Sequence, residues 1–308
     1  MLALHRCLTV SKTRLTATSS SSCTSLFSRA GFVVSRNYAA SPPSLSDGNL
    51  ADVCNKNVVP SPHPPVMDLS KFTPVPEFVS SEWKSRETKV AIRDGSTGET
   101  RTFAQYDQHM NSIASALKAE YALKPDETVA LLSPNNVDYL PICLAVGKLG
   151  AKVTPINPLS TADELTKVLT RSSSKILFTH AKLLPVALDA AHSSPCVEHI
   201  VVLPDCGSDT NIPEGAEHLQ RLLDYENKDS PQHPISDVSN HPWLLPYSSG
   251  TTGLPKGVML SHANMVVNLL QLDGIERSVF PPGHKLISPL PCFHIYGMLA
   301  SLLYCAWR

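Results

Sequence analysis

Several features are missing from this 308-residue chain, and each absence closes off a class of function. Its eight cysteines (Cys7, Cys23, Cys54, Cys143, Cys196, Cys206, Cys292 and Cys305) include no C-x-x-C pair, so neither a thiolate zinc site nor a thioredoxin-like centre is indicated. They read as reduced thiols, mostly small core residues. No Gly-Lys-Ser/Thr step closes its glycine-rich stretch at 248–257, which rules out a Walker loop. The apolar stretch Phe293–Trp307 is fifteen residues long, below the length of a membrane span. No internal repeat is visible. There is also no excess of basic charge, with 26 Lys and Arg against 27 Asp and Glu.

Acidic residues are absent from the first 46 positions, where Arg6, Lys12, Arg14, Arg29 and Arg36 stand among many Ser and Thr. That composition is the one an organellar transit peptide carries. Arg36-Asn37-Tyr38-Ala39 resembles a mitochondrial processing site cut after Tyr38, giving a leader over 1–38 and a mitochondrial destination. A plastid address shares the same composition, and a spurious upstream exon would leave the protein cytoplasmic. Removing the five leader cations leaves 21 against 27, a net charge of −6, which argues against nucleic acid as a partner. Residues 39–84 are rich in Pro and Ser and read as a largely extended linker.

Past the linker the pattern becomes regular. Lys89–Arg93 and Glu99–Phe103 flank Asp94-Gly95 as a hairpin. Thr102 caps a helix with Tyr106, Met110, Ile113 and Leu117 at helical spacing. Apolar strands at 128–132, 151–156, 175–179 and 199–203 then alternate with helices. The first of these helices runs from about Asn136 to Leu149 and is stopped by Gly150. The next opens on the capping box Thr161-Ala162-Asp163-Glu164, and the third carries Leu184, Leu188 and Ala191. Strands apolar on both faces argue an α/β fold with a doubly wound, mostly parallel sheet. Residues 204–240 lose the pattern, apart from a short helix at Leu219, Leu222 and Leu223, and suggest a subdomain boundary.

The informative stretch is Ser248-Ser249-Gly250-Thr251-Thr252-Gly253-Leu254-Pro255-Lys256-Gly257. Its glycines allow close backbone approach, its hydroxyls and N–H groups are donors, and its lysine is a mobile point charge suited to phosphate. The same residues suit an ordinary surface loop, so context has to separate the two. Trp243–Tyr247 before it and Val258-Met259-Leu260 after it read as strands. Ser261 then caps a helix with Met265, Val266, Leu269 and Leu270. This is a phosphate-binding context.

The ten-residue loop resembles the phosphate-binding signature of the adenylate-forming superfamily of acyl-CoA synthetases, luciferases and nonribosomal adenylation domains. Pro291-Cys292-Phe293-His294-Ile295-Tyr296-Gly297-Met298 is similar to the aromatic-histidine motif of its 4-coumarate–CoA ligase and luciferase branch. Thr102–Tyr106 and Gly147–Ala151 leading to Pro155–Pro158 match more weakly. The resemblance covers 85–308. It implies two-step chemistry with ATP, Mg²⁺ and coenzyme A, in which a carboxylic acid becomes an acyl-AMP and then an acyl-CoA. By this resemblance Ser248, Ser249, Gly250, Thr251, Thr252, Gly253 and Lys256 hold the phosphates. His294 sits beside the reacting carboxylate, and Tyr296 and Gly297 line the acyl pocket, with no protein side chain assigned to the metal. Without the motif, a histidine flanked by Phe293, Ile295 and Tyr296 suits a core position. His180 and His262 read as structural. Ala300 falls where plant coumarate ligases often place a small polar residue, a departure from the hydroxycinnamate pattern.

The chain stops at Arg308, before the family's Thr-Glu motif, ribose-binding aspartate, hinge and lysine-bearing lid. On this resemblance it corresponds to an N-terminal portion that does not form acyl-AMP alone, with a second sheet left unfinished and its last helix deprived of neighbours. A non-catalytic nucleotide- or acyl-binding remnant and a luciferase-like oxygenase are the alternatives, and the acid is unspecified.

Overall fold

The computed structural model describes residues 72–205, 212–226, 231–248, 256–276 and 283–308. The leader, most of the stretch read as a linker, and Ser249–Pro255 lie outside the described residues. A seven-stranded sheet has the order β11-β8-β4-β3-β5-β6-β7. These strands are Leu260–Ser261, Pro242–Leu244, Lys152–Ile156, Thr128–Leu132, Ser174–His180, His199–Leu203 and Ala216–His218. All pair in parallel except β11, which lies antiparallel on β8 at the edge.

Alternation explains why the central strands read as continuous apolar runs. Ala130, Leu132 and Leu177 face helices α4 (Ala162–Ser172) and α5 (Leu184–His192). Val129, Leu131, Ile176 and Phe178 face the opposite way, into the core that includes α2 (Phe103–Ala119) and α3 (Tyr139–Lys148). With helices on both sides both faces of these strands are buried, and their buried polar side chains are mostly small hydroxyls such as Thr154 and Thr179. From β3 the chain steps to β4 on one side and then crosses to β5 on the other, so the doubly wound expectation holds.

Local chemistry sets the helix starts. Gln105 N–H donates to Thr102 Oγ1 at 3.2 Å while Thr102 N–H donates to Gln105 Oε1 at 2.8 Å. Thr161 and Glu164 repeat the exchange at 3.3 and 3.0 Å, satisfying two orphan donors at each start. The hairpin joins β1 (Val90–Arg93) to β2 (Thr100–Thr102). Helix α3 starts at Tyr139 rather than Asn136, because Asn136 serves the preceding turn: its Nδ2 donates to Ser133 Oγ at 2.7 Å and its Oδ1 accepts Asp138 N–H at 2.9 Å. Gly150, at φ +69°, ends the helix in the left-handed conformation. Buried Asp138 accepts from Arg101 Nη2 at 3.0 Å and pairs with His109 Nδ1 at 2.8 Å. Burial alone would raise its carboxyl, but the His109 and Arg101 bonds outweigh that and hold it below the usual range.

Three expectations need correction. Part of the stretch read as an extended linker is helical: α1 (Val75–Ser80) buries Val75 and Val79 completely, and a 3₁₀ turn at Trp83–Arg86 buries Trp83. No subdomain boundary separates 204–240, since β7 and β8 belong to one sheet, the short helix α6 (Leu219–Leu223) buries Leu222 in the main core, and the described residues form one compact unit. Strand β7, which the sequence pattern did not suggest, is held in part by Tyr121 OH donating to Glu217 Oε2 at 3.0 Å. The terminal helix is not deprived of neighbours either. Residues Gly297–Leu303 form a wide π-type turn running into α8 (Tyr304–Trp307), with Met298 and Leu303 fully buried. Trp83 Nε1 donates to Ala306 O at 2.8 Å, and Phe78 packs on Trp307 with ring centroids 4.7 Å apart.

The four described cysteines are free thiols, Cys143 and Cys292 buried and Cys196 and Cys305 half-buried, as expected of core residues. No helix among the described residues is long and apolar enough to cross a membrane.

Candidate functional site

Because β3, β4 and β8 run in parallel, the loops leaving β3 and β8 emerge at the same edge of the sheet. In open α/β sheets ligands bind at this carboxyl edge, where neighbouring strands continue in opposite directions. The exit of β8 is pinned by Leu245 N–H donating to Val153 O at 2.8 Å and Thr154 Oγ1 donating to Leu245 O at 2.8 Å. The chain then forms a two-stranded ladder, β9 (Tyr247–Ser248) with β10 (Lys256–Gly257), in which Ser248 lies opposite Lys256. Both side chains are exposed. Of the phosphate-loop residues named from sequence, only these two are described; Ser249, Gly250, Thr251, Thr252 and Gly253 form the segment this ladder closes. A side chain at Gly257 would stand 3.1 Å from Tyr247 Cζ, so the phenol ring packs across the ladder where glycine leaves room.

Val258 and Met259 are exposed, which corrects the strand read through them; only Leu260–Ser261 joins the sheet. Ser261 and Asn264 exchange bonds as a cap, with Ser261 N–H on Asn264 Oδ1 at 3.0 Å and Asn264 N–H on Ser261 Oγ at 3.2 Å. His262 N–H donates to His241 O at 3.2 Å and Ala263 N–H to Val238 O at 2.9 Å. The first turn of helix α7 (His262–Glu276) is therefore satisfied by the protein itself. This helix end thus offers an anion no spare donors from its first turn.

His262 is structural, as expected. Its Nδ1 accepts Val75 N–H at 3.0 Å, which places the ring proton on Nε2, a buried atom without a partner among the described residues. The ring stacks on His241 at 5.6 Å and Trp243 at 6.2 Å. Burial, reinforced by His241, lowers it to about 3.

The second motif is held from the other loop. Asn135, just past β3, donates Nδ2–H to Leu290 O at 2.8 Å and accepts Cys292 N–H on Oδ1 at 2.7 Å. Downstream, His294 N–H donates to Pro291 O at 3.1 Å and Met298 N–H to His294 O at 2.9 Å. Gly297 lies under this turn, where an added Cβ would come 2.2 Å from Pro291 O. His294 projects into solvent at the turn rather than into the core, and its Nδ1 accepts Tyr296 N–H at 3.4 Å. Tyr296, 63% exposed, borders a cleft of about 900 Å³ with Leu260, Ala263, Asn264, Ile295 and Leu299. Of the two residues assigned to an acyl pocket, Tyr296 lines this cleft, while Gly297 acts by leaving space beneath the turn. Burial pushes the Cys292 thiol up to about 12, so it is not a nucleophile.

Sequence reasoning missed Asn135 and the contribution of Asn264. The signal for Asn135 was slight, a Ser-Pro-Asn-Asn run that any turn could carry. Among the described residues no group of three or more His, Cys, Asp or Glu could hold a metal ion. Residues 246–261 contain no carboxylate.

Residues 80–307 match the family described as AMP-binding enzyme. Among curated relatives, the peroxisomal OPC-8:0-CoA ligase 1 of Arabidopsis thaliana is 32% identical over 257 residues, covering 80% of this chain and 44% of the relative. The 4-coumarate–CoA ligase 5 of Oryza sativa subsp. japonica is 32% identical over 248 residues, 79% of this chain and 43% of the relative. The chain thus spans under half the length of these proteins. Among solved structures, the anthranilate CoA ligase AuaEII in complex with anthranoyl-AMP superposes with TM-score 0.65 at 22% identity, over 78% of this chain and 45% of that one. A red-emitting luciferase from Phrixothrix hirtus gives the same TM-score and identity over 78% and 46%. These likenesses show the shared fold.

Proposed function

The chain belongs to the AMP-binding enzyme family, and from that premise we propose that it carries the phosphate-binding half of an ATP-dependent acid–CoA ligase. In the proposed reaction a carboxylate oxygen attacks the α-phosphorus of MgATP. The bond to the β-phosphate breaks, pyrophosphate leaves, and acyl-AMP forms. The sulfur of coenzyme A then attacks the acyl carbon, AMP departs with the bonding electrons, and the thiol proton goes to solvent. Leaving-group charge in the first step develops on the β- and γ-phosphates, so fixed donors and a cation there lower its barrier.

Ser248, Ser249, Gly250, Thr251, Thr252, Gly253 and Lys256 hold those phosphates in this reading. His294 stands beside the carboxylate, and Tyr296 borders the acyl group. The single observation that supports the reading is a convergence. The ladder that closes the Ser/Thr/Gly/Lys loop and the loop that grips the His294 turn both leave the same carboxyl edge of the parallel strands. The relatives act on OPC-8:0 and 4-coumarate by their names, and we assign this chain an aryl or fatty acid on that likeness. The Arg- and Ser-rich leader supports a mitochondrial address, with the plastid as the competing destination.

Titration calorimetry with MgATP, and with a benzoyl-sulfamoyl adenosine that mimics an acyl-AMP, tests the proposal. Saturable binding of both, with the mimic displacing ATP, is expected. A chain that is folded but binds neither overturns it.

A further inference from the structure

The loop Ser133–Asn136 enters the reading above only by where it leaves the sheet, yet the geometry of its Asn135 is unusually specific. Asn135 is exposed and lies more than 150 residues from the segment it holds. Its amide bonds the two backbone groups that flank Pro291, the Leu290 carbonyl at 2.8 Å and the Cys292 N–H at 2.7 Å. Proline has no N–H, so a neighbouring strand could not bond through that residue; the side-chain amide bridges it instead. The loop is itself braced by Asn136 on Ser133 and by Asp138 N–H on Asn136. The Asn135 amide is therefore set by the end of the central strand.

What it holds is the base of the His294 turn. Pro291 O accepts His294 N–H at 3.1 Å, and Gly297 packs against the same carbonyl so closely that no Cβ fits. The position of Pro291 thus sets where His294 and Tyr296 stand. We propose that Asn135 is a positioning residue: its amide, gripping the backbone on both sides of Pro291, locks the His294–Tyr296 turn against the carboxyl end of the sheet. The inference rests on the proposed ligase reading for what His294 and Tyr296 touch, but the clamp itself is independent of it. Aspartate cannot donate to the Leu290 carbonyl, and alanine can replace neither bond, so the two substitutions separate the contributions.

The test uses the full chain with isotope-labelled histidine, its His294 ring resonances assigned by loss in His294→Gln. In Asn135→Ala the His294 resonances are expected to shift and broaden while those of buried His262 stay in place. Affinity for benzoyl-sulfamoyl adenosine is expected to fall about tenfold, in keeping with two lost hydrogen bonds, while MgATP affinity changes less than about twofold because the phosphate loop is untouched. Asn135→Asp should fall between wild type and Asn135→Ala. His294 resonances unchanged in a folded Asn135→Ala chain overturn the proposal, as does a shift shared by every histidine, which marks a general structural role. Should Asn135→Ala not fold, Asn135→Asp decides by the same two criteria. A wild-type chain that binds neither MgATP nor the mimic defeats the ligase reading alone, since the His294 resonances still report on the clamp.

Discussion

His262 accepts the backbone N–H of Val75 on its Nδ1 at 3.0 Å, joining residues 187 positions apart. The bond fastens helix Val75–Ser80 to the start of the helix that follows the glycine-rich loop. It requires a neutral imidazole, because a protonated ring has no acceptor to offer.

Stability is accordingly expected to fall in mild acid. The His262 pKa is lowered from 6.5 to about 3 by burial and by His241. The unfolded chain therefore binds the proton that the folded chain refuses. The contribution is fully present above 6.5 and is lost progressively as pH drops from 6.5 towards 3. Thermal unfolding followed between pH 7.5 and 4.5 by circular dichroism should show a falling midpoint, on the order of 1 kcal/mol or more lost per pH unit well below 6.5. His262→Asn, which keeps an acceptor without a titrating ring, should flatten that slope. An unchanged slope would refute the assignment.

Trp83 joins the first and last described helices, burying its ring and donating to Ala306 O at 2.8 Å. Trp83→Phe should cost about 1–3 kcal/mol, since it leaves the buried carbonyl with less than its full complement of donors. Arg86 Nη2, which also reaches that carbonyl at 2.9 Å, limits the loss. Trp83→Ala adds a cavity and should cost about 3–5 kcal/mol. Urea unfolding curves of the two variants would separate the hydrogen bond from the volume.

Asp138 is buried and holds both Arg101 and His109. Removing it in Asp138→Ala leaves Arg101 with Glu99 as its remaining carboxylate partner and takes the acceptor from His109, an expected loss of about 1–3 kcal/mol. Asp138→Asn keeps the shape and should lose less. Because the folded carboxyl titrates below its usual range, its stabilisation is present above about pH 4 and declines as pH falls through the folded value. Equal losses in the two variants would show that packing alone matters at this position.

Lys256 stands exposed across the ladder from Ser248. Lys256→Ala should leave the unfolding midpoint within about 0.5 kcal/mol of wild type, as expected for an exposed position. It should weaken MgATP binding about tenfold through loss of a charge-assisted contact. Calorimetry on both proteins checks the split; an unaltered affinity would remove Lys256 from the phosphate site.

Gly297 has the Pro291 carbonyl 2.2 Å from where a side chain would begin. Gly297→Ala must push the turn off that carbonyl, at an expected cost of about 1–3 kcal/mol. It should also displace His294, whose N–H bonds the same oxygen. Histidine resonances and the unfolding midpoint together report both effects.

How much of this was legible depended on length and locality. Strands β3 to β6 are mostly apolar on both faces over five to seven residues, and the boxes at Thr102 and Thr161 need only four consecutive residues each. Both patterns survive without knowledge of the neighbours. Strand β7 has three residues and carries no usable period. Helix Val75–Ser80 is a single turn and a half inside a proline-rich stretch, where local preference argues for extended chain. At the site, the loop 248–257 and the His294 motif announced themselves as contiguous strings. Asn135 did not, because its partners are two backbone groups that no sequence pattern marks.

The sequence by itself determined the parallel sheet with helices on both faces, the helix starts, and the chemistry of the glycine-rich loop. Each follows from residues close together in the chain. Only the tertiary structure decided that β8 lies beside β4, so that the β9–β10 ladder leaves the same edge as the loop after β3. It alone buried the first helix against His262 and the last against Trp83, and it alone set the Asn135 amide on either side of Pro291. The physical reason is common to all of these. Short segments have too few local contacts to choose a partner, and the choice falls to whichever edge, carbonyl or cavity the rest of the fold leaves unsatisfied.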